Sequence, residues 1–172
     1  MKILINDANV LIDLVKLDLL DEFANLTHEL HTTDFILEEV NPDQKSHILP
    51  VIDAGKLNLI VTTEVEDFQG IADLLENSSG LSFEDCSAWY YSKKMDGTLV
   101  TGDRKLRKAV ENDEIEVRGI IFILDEILKQ ELISFENAIE KIELLYQLNN
   151  RLPKTAYSDR MELWKNNKQV GE

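Results

Sequence analysis

Twice in this chain a short apolar run of strand-forming residues ends on an aspartate that opens a helix-patterned stretch. Residues 2–6 (Lys-Ile-Leu-Ile-Asn) lead into Asp7, after which Val10, Leu11, Leu14, Leu17 and Leu20 recur at helical rather than alternating spacing. Residues 98–101 (Thr-Leu-Val-Thr), introduced by the turn pair Asp96-Gly97, lead through Gly102 to Asp103 and the charged helical run at 104–110. A buried strand followed at once by a helix is the unit of a parallel sheet covered on both faces. Sites in such open sheets form outside the carboxyl ends of the strands, where Asp7 and Asp103 would both lie.

The rest of the chain continues the alternation. A second helix is expected from Asp34, carrying Phe35, Ile36, Leu37, Glu38, Glu39 and Val40, and ending before Pro42, which disfavours continuation. A strand is expected at 57–62, helices at 64–76 and 83–94 around the breaker Asn77-Ser78-Ser79-Gly80, a last strand at 115–117, and amphipathic helices at 120–130 and 135–148. With 172 residues and no internal repeat, the expectation is one α/β domain over residues 1–150 and a polar tail, 151–172, with a short amphipathic helix in which Tyr157, Met161 and Trp164 share a face. That face either docks on the protein's own core or meets a partner.

Cys86 is the only cysteine, and His28, His31 and His47 lack partners at zinc spacing, which points to a reduced interior without disulfide or structural zinc. The apolar run at the N-terminus is too short for a signal peptide and no later stretch reaches membrane length, so a soluble, cytoplasmic protein is expected, with no membrane partner. Eighteen Lys and Arg against 33 Asp and Glu give a net charge of −15, which excludes nucleic-acid binding through a broad basic surface. Only cations neutralising an acidic site together with a local basic patch meeting the phosphates would admit it.

Each prominent carboxylate has a structural explanation of its own. Asp7 and Asp103 suit helix N-caps, and Ser82 with Asp85 fits a variant capping box. Glu38 and Glu39 suit the solvated face of a short helix. Together they describe something else: acids at two strand ends, at a helix start and inside an apolar helix, of the kind that holds a hard divalent cation through oxygen ligands.

In order along the chain these residues read Asp7-Ala8-Asn9-Val10-Leu11, Glu38-Glu39-Val40, Asp85 with Ala88, and Thr101-Gly102-Asp103. The pattern resembles that of the PIN-domain family of metal-dependent nucleases. The resemblance implies a three-layer α/β/α fold with a central parallel sheet and a site of four acids, Asp7, Glu39, Asp85 and Asp103, supported by Asn9 and Thr101. Glu39 is preferred to Glu38 because the family's glutamate precedes an aliphatic residue. It further implies Mg²⁺ or Mn²⁺ as cofactor, RNA as substrate, a tendency to form homodimers, and, as in many small PIN proteins, service as the toxin of a toxin–antitoxin pair with an antitoxin-like partner.

Arg104, Lys105, Arg107 and Lys108 form the one basic cluster, and Arg104 and Arg107 are the candidate contacts to the RNA backbone; a solvated helix face is the alternative. Trp89, Tyr90 and Tyr91 suit either base stacking or core packing, and core packing is favoured inside a helix. The competing functional class is a non-catalytic acidic PIN-like module for a basic protein partner. A haloacid-dehalogenase-type phosphatase would need an aspartate where Asn9 stands, and the paired acids and downstream phospho-accepting aspartate of a receiver domain have no counterparts in this chain.

Overall fold

The computed structural model describes residues 1–149 and 152–170. Five strands, β1 (Ile3–Asn6), β2 (Glu29–Thr33), β3 (Asn58–Ile60), β4 (Thr98–Val100) and β5 (Val117–Arg118), form one sheet in the order β3-β2-β1-β4-β5. Every pairing is parallel, with Leu4 opposite Leu30 on one side and Thr98 on the other. The chain moves outward from β1 through β2 to β3, then crosses back to β4 and β5. Right-handed crossovers in opposite directions place their helices on opposite faces of a sheet.

The first helix set comprises α1 (Ala8–Lys16), α2 (Leu20–Ala24), α3 (Asp34–Glu39) and α4 (Pro42–Asp53). The return crossing carries α5 (Val65–Glu76) and α6 (Phe83–Lys94), and α6 lies against β1, β2 and β4. After β4 come α7 (Arg104–Ala109) and a 3₁₀ turn at Val110–Asn112; after β5 come α8 (Ile120–Lys129), α9 (Phe135–Leu148) and α10 (Lys154–Val170).

Three departures from the sequence reading have local causes. The apolar run from Val10 to Leu20 forms two helices because Asp18 adopts a left-handed backbone (φ 52°), a conformation aspartate tolerates better than most residues. Strand β2 was not anticipated: in Glu29-Leu30-His31-Thr32-Thr33 only Leu30 is aliphatic, and the strand exists by pairing with β1 and β3. Pro42 ends α3 as expected but also begins α4, sitting at its first turn behind an Asn41 cap whose side chain accepts from Gln44 N at 2.9 Å.

The core is continuous from Leu4, Ile5 and Leu99 in the sheet to Leu11, Leu14, Ile123 and Ile142 in the helices. Trp89 and Tyr91 are buried in α6, and their polar tips bind Asp113 and Thr62, so these aromatics pack rather than present faces to solvent. Cys86 is buried and free. Helix α10 packs on α9, with Met161 and Trp164 buried in the main core, Trp164 Nε1 donating to Asp125 at 3.2 Å and Tyr157 stacked on Tyr146. The tail's amphipathic face therefore docks on the protein's own core, in a helix 17 residues long rather than a short one. The expected domain boundary between residues 150 and 151 lies outside the described residues. No helix among them is long and apolar enough to cross a membrane.

Candidate metal centre at the sheet switch point

Strands β1 and β4 are neighbours, and the chain leaves them in opposite directions, so their carboxyl ends open a crevice at the switch point of the sheet. Asp7 N donates to Val100 O at 3.0 Å and fixes the end of β1 beside that of β4. Asp7 is 1% exposed. Its Oδ1 accepts from Ala8 N at 2.7 Å, capping α1, and its Oδ2 accepts from Thr101 Oγ1 at 2.5 Å and from Asn9 Nδ2. Asn9 also accepts Gly102 N at 2.8 Å, and Thr101 Oγ1 accepts Asp103 N at 3.0 Å. One network thus ties Asp7, Asn9, Thr101 and Asp103 together.

Asp103 caps α7, its Oδ1 accepting from Lys105 N at 2.7 Å and Leu106 N at 2.9 Å. Asp85 forms the capping box with Ser82: its Oδ2 accepts from Ser82 N at 2.9 Å while Ser82 Oγ accepts from Asp85 N at 3.0 Å. Capping and site placement therefore coexist in all three aspartates. Glu39 arrives from the last turn of α3, because the α3 register turns its neighbour Glu38 outward toward Lys45 at 3.6 Å.

Asp7, Asn9, Glu39, Ser82, Asp85 and Asp103 line one open cleft of about 640 Å³. The Asp7 carboxyl is pushed up from its ordinary 3.8 to about 6, first by burial and then by the charges of Asp85 and Asp103, against the Thr101 and Ala8 hydrogen bonds that hold it down. Loss of solvent around the Glu39 carboxyl, followed by the charges of Asp7, Asp85, Glu84 and Asp103, pushes it up to about 7, although the residue as a whole stays exposed at the cleft mouth. Mutual repulsion among gathered carboxylates is relieved by a bound cation.

Among the described residues no three or more His, Cys, Asp or Glu close into a ready coordination cage. The donor set nevertheless fits a hard ion such as Mg²⁺, which keeps several waters and needs only one or two carboxylates together with substrate phosphate.

The basic cluster divides three ways. Arg104 is exposed and makes no hydrogen bond or ion pair among the described residues. Lys105 reaches back to the cleft rim, where a Cβ on Gly80 would lie 3.4 Å from its Nζ. Arg107 is half-buried, its Nε and Nη2 donating to Thr101 O at 3.1 and 2.8 Å, so its guanidinium holds the end of β4. Sequence reasoning placed Lys105 in the cluster without giving it a separate role. Ser82 it read only as a cap, and no sequence signal distinguished it as a cleft residue.

An all-parallel sheet with carboxylates gathered at its switch point is the arrangement that the PIN resemblance implies. Over residues 3–166 the chain matches the family DUF3368, a PIN domain, and it belongs to that family. No curated protein matches it. Among solved structures it is similar to the crystal structure of VapBC2 from Rickettsia felis bound to a DNA fragment from their promoter. That match has 11% identity and a TM-score of 0.45, and covers 68% of this chain and 98% of that one.

Proposed function

We propose that this chain is a Mg²⁺- or Mn²⁺-dependent endoribonuclease, acting as a toxin-type PIN protein restrained by an antitoxin-like partner. The observation that carries the reading is the convergence of Asp7, Glu39, Asp85 and Asp103 on one cleft at the ends of β1 and β4. When bound there, a divalent ion supplies an activated water and neutralises charge on the phosphate undergoing attack. Asp7 and Asp103 would hold it from the sheet edge, and Asp85 and Glu39 from the opposite helices. Asn9 and Thr101 orient Asp7, and Lys105 at the rim meets substrate phosphate. No side chain serves as a nucleophile.

A cleavage assay on single-stranded and structured RNAs with Mg²⁺, Mn²⁺ or EDTA, run beside Asp7→Asn, tests the proposal. Metal-dependent cleavage that the variant loses supports it. Absence of cleavage by folded protein free of any inhibitor would transfer the reading to a non-catalytic acidic module for a basic protein partner, which the net charge of −15 favours.

A further inference from the structure

Beside the carboxylate cleft lies a second, separate pocket of about 300 Å³. Asn9 lines both cavities, and Gly102, bonded to Asn9 Oδ1 at 2.8 Å, lines the second one next to Asp103 of the first. The partition between them is thus about one side chain thick. The pocket's walls are mostly apolar, formed by Ile120 and Ile121 at the start of α8, Leu152 and Pro153, and Ala156 on α10. Arg104 stands in the wall without a partner among the described residues, while Arg107 keeps its guanidinium on Thr101 O. Asp13 also borders the pocket, with its Oδ2 accepting from Asn149 Nδ2 at 2.7 Å, a bond that fixes the end of α9 to α1.

We infer that this pocket is a nucleotide subsite, taking one unpaired base of an RNA strand beside the scissile phosphate, with Arg104 against that nucleotide's phosphate. The inference rests on the ribonuclease reading for the strand's path through the neighbouring cleft. An apolar slot flanked by a cation is what a base and its phosphate require, since stacking and apolar contact seat the base and a guanidinium neutralises the backbone. The volume lies at the lower end of the range for ligand pockets, roughly 300–1,000 Å³, and suits a single nucleoside. On a chain of net charge −15, an arginine left unpaired in such a wall directs an anion to that spot. The C-terminal helix then has a functional part: Ala156 of α10, with Leu152 and Pro153 before it, completes the substrate site.

Isoleucine-methyl NMR of the full chain in EDTA, titrated with the four nucleoside 5′-monophosphates and separately with inorganic phosphate, tests the assignment. Nucleotides are expected to move the Ile120 and Ile121 methyl signals, with phosphate alone leaving them in place. Ala156→Trp, which fills the pocket from α10, is expected to abolish the shifts, and Ala156→Leu covers the case in which the tryptophan variant fails to fold. Arg104→Ala is expected to weaken nucleotide binding by about fivefold, the loss of one exposed charge-assisted contact. Unmoved methyls, movement by phosphate alone, or shifts that survive in a folded pocket-filling variant would overturn the subsite. Because no metal or cleavage enters the measurement, wild-type protein that binds nucleotide yet leaves RNA intact sinks only the ribonuclease reading, and the reverse pattern sinks only the subsite.

Discussion

Thr101 and Asp7 lie 94 residues apart in sequence and are joined at the switch point by a 2.5 Å hydrogen bond from the threonine hydroxyl to the carboxylate. The bond stabilises the ionised form of a carboxyl that burial pushes toward neutrality, which is the form a cation requires. It also joins the ends of β1 and β4, so the electrostatics of the site and the geometry of the sheet depend on the same contact.

Thr101→Val removes that donor while keeping the volume. The Asp7 carboxyl should then rise above about 6, and the acid limb of a pH–rate profile should move to higher pH, whereas Thr101→Ser should keep the wild-type profile. Coincident profiles for the valine variant and the wild type would exclude the positioning role.

Folding stability in EDTA should fall as pH rises from about 4 to 6. The native Asp7 keeps a proton that the unfolded chain has lost, so raising the pH favours unfolding throughout the window between 3.8 and about 6. The upper bound for this one group is about 3 kcal/mol, from 1.36 kcal/mol per pH unit. Glu39 acts in the same sense up to about pH 7. Urea unfolding at several pH values should show the slope reduced in Asp7→Asn, and added Mn²⁺ should restore stability at pH 7.

Glu39→Gln should lower cleavage by roughly a hundredfold or more, while Glu38→Gln stays within about twofold, because only Glu39 joins the cleft. Single-turnover rates for both, with circular dichroism to confirm folding, decide between them.

Arg107 and Arg104 should separate stability from binding. Arg107→Ala leaves the carbonyl at the end of β4 without its two donors and should destabilise the fold by about 1–3 kcal/mol. Arg104→Ala should leave the unfolding midpoint unchanged and reduce the salt slope of RNA binding by about one. A reversed pattern would contradict the assigned geometry.

Trp164 is 2% exposed and bonds Asp125 across to α8. Trp164→Ala should cost about 3–5 kcal/mol in chemical denaturation. An undiminished midpoint would show that α10 is not part of the cooperative core.

Much of the fold was legible because each signal was local. The start of α6 follows from Ser82, α9 from its apolar spacing, and Asp7 and Asp103 from apolar runs that stop abruptly. Strand β2 was not legible, since a polar pentapeptide becomes a strand only when neighbours supply its hydrogen bonds and burial. The orientations within the basic cluster were hidden for a similar reason: Arg104, Lys105 and Arg107 look alike in sequence, and only the end of β4 and the cleft rim give them different partners.

By itself the sequence determined the alternation of strands and helices, the caps, and which acids stand at element ends, because backbone preference and apolar period act over a few residues. Tertiary structure alone decided that residues as distant as Asp7 and Thr101 share a hydrogen bond and that α10 closes a pocket beside the carboxylate cleft. These outcomes depend on strand order and helix docking, which are set by the burial of the whole chain and not by any segment of it.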